Sequence, residues 1–297
     1  MSWTSIADLL TDDSTAPVAL LGAPMDAGSV TPGRCDLAPA TLRKALRRVS
    51  SWDIVEDIEL AELRVFDAGD VPVQGLMPAD GFLPLRDAVT ASAAAHDLTL
   101  LIGGNNAVTR PAAHGLGLPL ELVGLITLDA HFDMRDTAQG PRNGNPVRCL
   151  LEDGLPGANI CQIGLAPFAN TRRMFEDADA AGVEIWDIEA VREAGIAAAL
   201  DSALEHLSHV EAILVDFDID VIDRAQLPGA PGARPGGMAV TDFFRAARRL
   251  AAEERVRVVD LTEFDPGLDL SDISALTAAR WVAEVLAGYA ARSLSPS

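Results

Sequence analysis

Eight short apolar segments recur along the chain, separated by stretches rich in alanine and leucine, and this alternation is the strongest constraint on the fold. Several segments are apolar almost throughout and lack the polar–apolar alternation of a strand with one face in water. Such continuous runs are typical of parallel strands covered on both faces. The predicted strands are Ala16–Leu21, Arg64–Asp67, Leu98–Ile102, Val123–Asp129, Ile160–Ile163, Val183–Trp186, Ala212–Asp218 and Val256–Leu261.

Helical segments lie between the predicted strands, which indicates βαβ units around one parallel sheet and therefore an α/β fold. Thr241 and Ser271 each lead an apolar-periodic run and are predicted as helix N-caps. No long linker or repeat interrupts the pattern, so residues 1–297 are predicted to form a single domain. The predicted helices are Ala38–Val49, Phe82–Ala95, Thr171–Ala181, Ile196–Leu207, Thr241–Glu254 and Ser271–Ala291.

The charge of the chain limits its possible binding partners, and its cysteine content indicates its cellular compartment. The chain has 23 Lys and Arg against 44 Asp and Glu, a formal net charge of −21. Such a surface repels nucleic-acid backbones and anionic lipids, so we expect no nucleic-acid or membrane partner. The three cysteines form no CxxC pair, and the apolar runs are too short to span a bilayer. These features favour a cytoplasmic protein with free thiols.

Acidic side chains, with one histidine among them, follow the carboxyl ends of three predicted strands, which is where open parallel sheets form their sites. Clustered carboxylates repel one another unless a cation lies among them. Oxygen donors with one imidazole suit a divalent ion such as Mn2+. Solvated loop acids would account for one such segment but poorly for three. The predicted site residues are Asp129, His131, Asp133, Asp218, Asp220 and Glu263.

These segments resemble the ureohydrolase superfamily, which comprises arginase, agmatinase and formimidoylglutamase. Asp129–Asp133 matches the family's DAHxD segment, and Asp216–Arg224 matches SxDxDxxDP with Asp for Ser and Arg for Pro. Glu263 followed by Pro266 matches a third motif, and two early loops also match, so the resemblance covers about residues 18 to 270. It implies a three-layer α/β/α sandwich with an eight-stranded parallel sheet.

The resemblance also implies a pair of Mn2+ ions that share carboxylate ligands. Where the family normally has a histidine ligand of the first ion, this chain has Asn106. A neutral amide oxygen binds Mn2+ less well than imidazole does, so we expect one secure ion and a second that is weak or absent. The implied ligands are Asp129, Asp133 and Asp218 for the weaker first ion, and Asp129, His131, Asp218 and Asp220 for the second.

Within the family, Asp129–Arg135 and Asn143–Pro146 most resemble formimidoylglutamase. This implies hydrolysis of a linear amidine C–N bond, with N-formimidoyl-L-glutamate converted to L-glutamate and formamide. It also implies a homo-oligomer and a place in histidine catabolism. Asp133 would orient the nucleophile, and Glu263 would pair with the cationic amidinium. The candidate substrate-binding residues are Arg135, Arg142 and Asn143, the arginines because a guanidinium matches a carboxylate.

Two alternatives remain open from the sequence. Another guanidino or amidino hydrolase, agmatinase-like or arginase-like, would keep the metal site and change the Arg135–Arg148 loop. A non-catalytic ureohydrolase-like binding protein would account more directly for Asn106.

Overall fold

The computed structural model, which describes residues 3–292, centres on a nine-stranded sheet in which all neighbouring strands are parallel. A separate two-stranded antiparallel hairpin follows the first helix. In chain order the strands are β1 (Leu10–Thr11), β2 (Val18–Ala23), the hairpin strands β3 (Trp52–Asp53) and β4 (Ile58–Glu59), β5 (Val65–Asp70), β6 (Leu98–Gly103), β7 (Val123–Leu128), β8 (Ile160–Leu165), β9 (Glu184–Asp187), β10 (Ala212–Asp218) and β11 (Val256–Thr262).

The eight predicted strands are all present, and their ends shift by at most three residues. Strands β2, β6, β7, β8 and β10 are buried at every residue, as continuous apolar runs predict. The ninth strand, Leu10–Thr11, pairs with β5 at one edge of the sheet. Two residues are too few to show a hydrophobic period, which is why the sequence predicted eight strands.

Helices cover both faces of the sheet, so the predicted three-layer α/β/α sandwich is confirmed. Successive strand residues point to opposite faces: Leu100 packs with the helices of one layer and Leu101 with those of the other. One layer contains α1 (Ala38–Ala45), α6 (Ile188–Ala194), α7 (Ile196–His206), α8 (Val240–Ala251) and α9 (Ile273–Arg292); the other contains α2 (Pro78–Ala95), α3 (Thr109–Gly115), α4 (Pro146–Asp153) and α5 (Arg172–Ala181).

The six predicted helices are present as α1, α2, α5, α7, α8 and α9, and three short helices were not predicted. The short helices α3, α4 and α6 have seven or eight residues, about two turns, so their periodicity is weak. Within residues 3–292, no helix combines the length and apolar character that a bilayer crossing requires. The prediction of a single domain covers residues 1–297, some of which lie outside the described residues, and it stays a prediction.

The order of strands determines where a site can form. The strands lie in the order β1-β5-β2-β6-β11-β10-β7-β8-β9, so the chain leaves β6, passes to β7, and later fills the gap with β10 and β11. Loops diverge from the carboxyl ends of the strands on the two sides of such a switch, which opens a crevice there. The four central strands β6, β11, β10 and β7 therefore end around a common crevice.

Both predicted N-caps are wrong, and the structure shows which side chains replace them. Helix α8 begins at Val240, so Thr241 lies inside it, and the Gln226 side chain accepts the Val240 backbone N–H. Ser271 precedes the start of α9 by two residues. The Asp269 carboxylate instead accepts the backbone N–H groups of the second and third residues of α9, at 2.9 and 3.0 Å. Three residues thus separate the capping Asp269 from the first residue of its helix.

We expect Asp269→Ala to lower the free energy of unfolding by about 1 kcal/mol, because two N–H groups at the start of α9 lose their acceptor. Denaturant titration measures the change. Ser271→Gly is the control: Ser271 has a φ of 53°, which glycine adopts without strain, so its effect should be smaller. A larger loss from the Ser271 variant would contradict the assignment of Asp269 as the cap.

Candidate metal centre

The four central strands bring every predicted metal-site residue to the same crevice. Asn106 follows β6 and Glu263 follows β11. Asp218 is the last residue of β10 and Asp220 lies just beyond it, whereas the other three residues follow β7. Each of the five carboxylates is at most 8% exposed, and His131 is partly exposed. The five buried carboxylates, called the carboxylate cluster below, are Asp129, Asp133, Asp218, Asp220 and Glu263.

His131 lies between two of these carboxylates. Its Nδ1 atom is 3.3 Å from Asp129 Oδ1 and 3.1 Å from Asp220 Oδ2. The Asp129 carboxylate also accepts the backbone N–H of His131 at 2.7 Å, and Asp218 accepts that of Asp220 at 2.9 Å. Each strand therefore ends in a tight turn in which the first carboxylate holds the residue two positions later. These turns bring the donor atoms of Asp129, His131 and Asp220 within 4.8 Å of one another.

Two cluster residues have an uncommon backbone conformation. Asp133 has a φ of 52° and Glu263 a φ of 60°. Both values lie in the left-handed region, which residues other than glycine seldom adopt. This conformation costs about 1 kcal/mol or more at each position. Both residues are the ones that the resemblance assigned to the reaction itself, which is where such strain concentrates in proteins.

Burial and mutual repulsion raise the pKa values of most of the cluster. Burial and the charge of Asp220 raise the pKa of Asp129 to about 7, and burial raises the pKa of Glu263 to about 7. Burial and the charge of Asp129 raise the pKa of Asp133 well above its usual range. The pKa of Asp218 is raised in the same way, by burial and by Asp220.

The imidazole of His131 is the positive group of the cluster. The charge of Asp220 raises the pKa of His131 to about 12, although burial opposes the shift. Burial acts to raise the pKa of Asp220, but the charge and hydrogen bond of His131 bring it below its usual value. Among residues 3–292, no Lys or Arg side chain forms an ion pair with any of the five carboxylates.

These residues fit a divalent cation. One imidazolium cannot balance five buried carboxylates, so the centre favours additional positive charge. Carboxylate oxygens with one imidazole nitrogen form a donor set that suits Mn2+. Gly232 keeps space beside these donors, because a Cβ atom there would lie 1.9 Å from Asp220 Oδ2 and 3.1 Å from His131 Cε1.

Asn106 contacts the cluster through its amide nitrogen. Its Nδ2 donates to Asp133 Oδ2 at 2.6 Å. Its side-chain oxygen Oδ1 accepts hydrogen bonds from the hydroxyl groups of Thr109 at 2.7 Å and Thr262 at 3.3 Å. In this arrangement Asn106 fixes the orientation of Asp133 and directs its own oxygen to the two hydroxyls.

A cavity of about 100 Å3 opens above the cluster. The residues that line it include His131, Asp133, Asp218, Asp220 and Glu263. Predicted residues Arg135 and Asn143 also line it, together with Arg234 and Asn170. Arg142, the other predicted substrate residue, is not among the residues that line this cavity; it lines an adjacent groove that Arg135 also borders.

Asn143 acts on Glu263 directly. Its Nδ2 donates to Glu263 Oε1 at 2.9 Å, and its Oδ1 accepts the backbone N–H of Val30 at 2.8 Å. Glu263 Oε1 also accepts the backbone N–H of Asn106 at 2.8 Å. One carboxylate oxygen of Glu263 is therefore fixed by two donors, and the residue faces the cavity.

Sequence reasoning missed two residues at the cavity. Asn170 accepts the backbone N–H of Phe132 and donates to the carbonyl of Ala130, both at 2.9 Å, so it holds the loop that carries His131. Arg234 lies in the irregular stretch after β10. The sequence signal for Arg234 was its place in the Gly/Pro-rich segment that directly follows the acidic end of a strand.

Comparisons with known proteins place the chain in a family. The family model described as "Arginase family" matches residues 16–288. Formimidoylglutamase of Halalkalibacterium halodurans is 30% identical over 280 residues, which cover 93% of this chain and 88% of that protein.

Solved structures share the fold. The crystal structure of formimidoylglutamase from Bacillus subtilis matches with a TM-score of 0.92 and 25% identity, over 100% of this chain and 94% of that one. Formiminoglutamase of Trypanosoma cruzi, solved with Mn2+, matches with a TM-score of 0.91 over 98% of this chain and 100% of that one. At 21% identity, that second likeness shows the fold alone. The family predicted from the motifs is confirmed: the chain belongs to the arginase family.

Proposed function

We propose that this protein hydrolyses a C–N bond of a linear amidine, with N-formimidoyl-L-glutamate as the substrate and L-glutamate and formamide as the products. The observation that carries the proposal is one cavity lined by both acidic and basic side chains. Four carboxylates and the imidazole of His131 line it, and so do Arg135 and Arg234. A substrate with an amidinium at one end and carboxylates at the other matches this combination of charges. Relatives that carry the name formimidoylglutamase support the same substrate.

The carboxylate cluster would hold the manganese ions that the donor set fits. Held by these residues, Mn2+ would supply Lewis-acid chemistry, which makes a water molecule more acidic and so available as a nucleophile at neutral pH. The proposed ligands are Asp129, Asp133 and Asp218 at one position, and Asp129, His131, Asp218 and Asp220 at the other. Asn106 is proposed as a partner of Asp133, and the weaker occupancy of the first position follows from its having no imidazole.

Protein side chains would orient both ends of the substrate. Glu263 pairs with the amidinium through charge-assisted hydrogen bonds, and Asn143 positions it through Oε1. Asp133, fixed by Asn106, accepts a hydrogen bond from the attacking water and orients it. Arg135 and Arg234 bind the substrate carboxylates, since both line the cavity. Arg142 lies outside this cavity, so its predicted role there is given to Arg234.

A different guanidino or amidino hydrolase activity is the second candidate, because the carboxylates that line the cavity would serve any amidinium. No observation favours a non-catalytic binding protein, since the predicted ligands other than Asn106 all face the same centre. Four expectations stay predictions: a cytoplasmic location, a homo-oligomer, a place in histidine catabolism, and the absence of nucleic-acid or membrane partners. The three free, buried cysteines are compatible with a reducing compartment.

With Mn2+ present, we expect kcat/KM for N-formimidoyl-L-glutamate to exceed that for agmatine or arginine. Arg135→Met should raise KM for N-formimidoyl-L-glutamate by about tenfold to a hundredfold, because a charged hydrogen bond contributes about 1.5–3 kcal/mol. The same change should have a smaller effect on formamidine, which has no carboxylate. Arg142→Met is the matched control and should change KM little. Equal effects of both substitutions, or a preference for agmatine, would contradict the assigned substrate.

Glu263→Gln should lower kcat/KM by about tenfold to a hundredfold and leave the metal content unchanged. Glutamine keeps the shape and the backbone conformation of Glu263 but removes the charge that pairs with the amidinium. Metal analysis of the purified variant, together with steady-state kinetics, measures both quantities. If the metal content falls in the variant, Glu263 is a ligand and the proposed division of roles is wrong.

Asn106→His should tighten the binding of the second Mn2+ equivalent by about tenfold to a hundredfold, because the position gains a nitrogen donor. Calorimetric titration of Mn2+ measures the affinities of both equivalents. Asn106→Ala is the control: it removes the hydrogen bond to Asp133 without adding a donor, so its second equivalent should bind no more tightly than in the native protein. Equal affinities in the histidine and alanine variants would show that position 106 does not reach the ion.

A further inference from the structure

A second group of metal-binding side chains lies at the opposite end of the sheet. Cys161 is the second residue of β8 and Glu184 the first of β9, and the two are register partners at the amino ends of these strands. His206, the last residue of α7, lies over them. Within residues 3–292, this trio and the Asp129–His131–Asp220 group are the two sets of three such donors close enough to share an ion. The trio, called the edge triad below, is separate from the proposed active site.

The donor atoms of the edge triad have the spacing of a tetrahedral zinc site. Cys161 Sγ lies 3.5 Å from Glu184 Oε2, and His206 Nδ1 lies 3.3 Å from the same oxygen. A tetrahedral zinc ion, with Zn–S near 2.3 Å and Zn–O and Zn–N near 2.0 Å, separates sulfur from oxygen by about 3.5 Å and nitrogen from oxygen by about 3.3 Å. All three donor atoms lie within 4.8 Å of one another. The protein therefore needs little rearrangement to place an ion among them.

Neighbouring side chains hold Glu184 in the orientation that an ion requires. Its Oε1 atom accepts the indole N–H of Trp186 at 2.8 Å and the hydroxyl of Ser202 at 2.7 Å. Its Oε2 atom is thereby directed at Cys161 and His206. Ligating carboxylates are commonly fixed by hydrogen bonds of this kind, which lowers the cost of ordering the site. This network is an observation independent of the spacing of the three donors.

Burial is graded across the edge triad. Cys161 is fully buried, Glu184 is half-buried, and His206 is exposed. An ion could thus enter from the His206 side, and the fourth position of a tetrahedron would face solvent. An ion held by all three side chains would connect the end of α7 to β8 and to the edge strand β9. Such a connection would stabilise the edge of the sheet against opening.

We propose that the edge triad binds a borderline divalent cation, Zn2+, through the Cys161 thiolate, Glu184 Oε2 and His206 Nδ1, with water as the fourth ligand. Binding releases one proton, from the thiol of Cys161, to solvent. Sulfur and imidazole donors favour Zn2+, whereas the oxygen donors of the carboxylate cluster suit Mn2+. Ligand chemistry would therefore sort the two metals between opposite ends of one sheet.

Cobalt absorption tests the proposal without relying on activity, because only a cysteine ligand gives a thiolate-to-Co2+ charge-transfer band. The full chain is first loaded with Mn2+ and then titrated with Co2+. We expect a near-ultraviolet band that saturates at one equivalent and that Zn2+ abolishes by displacement. Cys161→Ser should remove the band. Cys149→Ser, a matched change at another buried cysteine, should retain it.

His206→Gln keeps the test decisive if Cys161→Ser fails to fold, since His206 is exposed and its replacement leaves the core intact. This variant should weaken Co2+ binding by about tenfold or more. Absence of a band in the native protein overturns the proposal. A band that persists in Cys161→Ser places the ion at another cysteine and also overturns it. An unchanged affinity in His206→Gln excludes the proposed donor set.

Discussion

Repulsion among five carboxylates, brought together where β7, β10 and β11 end, dominates the structure around the crevice. A parallel sheet places these residues side by side, and burial removes the water that would screen them. The surrounding contacts act against this repulsion. His131 supplies positive charge between Asp129 and Asp220. Backbone N–H groups and the side-chain amides of Asn106 and Asn143 supply further donors.

Glycines in the surrounding loops allow the backbone to lie close against acidic side chains at the centre. A Cβ atom on Gly232 would collide with Asp220, and one on Gly33 would lie 2.4 Å from Asp265 Oδ2. Asp265 also accepts the backbone N–H of Arg34 at 3.0 Å. This hydrogen bond connects the loop between β2 and α1 to the segment after β11. The two loops therefore lie closer to Asp220 and Asp265 than they could if any other residue replaced these glycines. This closeness depends on residues distant in sequence, because Gly33 and Asp265 are more than 200 positions apart.

The sequence predicted the sheet and the cluster because both depend on local signals. Most long strands are apolar runs, and the predicted site residues lie at or just after the ends of such strands, so strand-end logic placed Asp129, Asp218 and Glu263 together. Features that depend on loop paths were not predictable. Arg135 lines both the cavity and the adjacent groove, whereas Arg142, seven positions later, lines only the groove. Arg234 reaches the cavity from a segment with no periodic pattern. Asp269 caps its helix across a loop, a geometry that differs from the adjacent-residue rule used for Ser271.

The left-handed backbone at Asp133 and Glu263 has a consequence for how such a protein changes over generations. Glycine adopts that conformation without strain, so replacing either carboxylate by glycine would relieve strain as well as repulsion. Mutational drift at these two positions would thus tend to yield a more stable scaffold without the two acids. Selection on the proposed activity, rather than on folding, would then maintain both acids. A descendant that lost this selection could keep the architecture long after its catalytic capacity had gone.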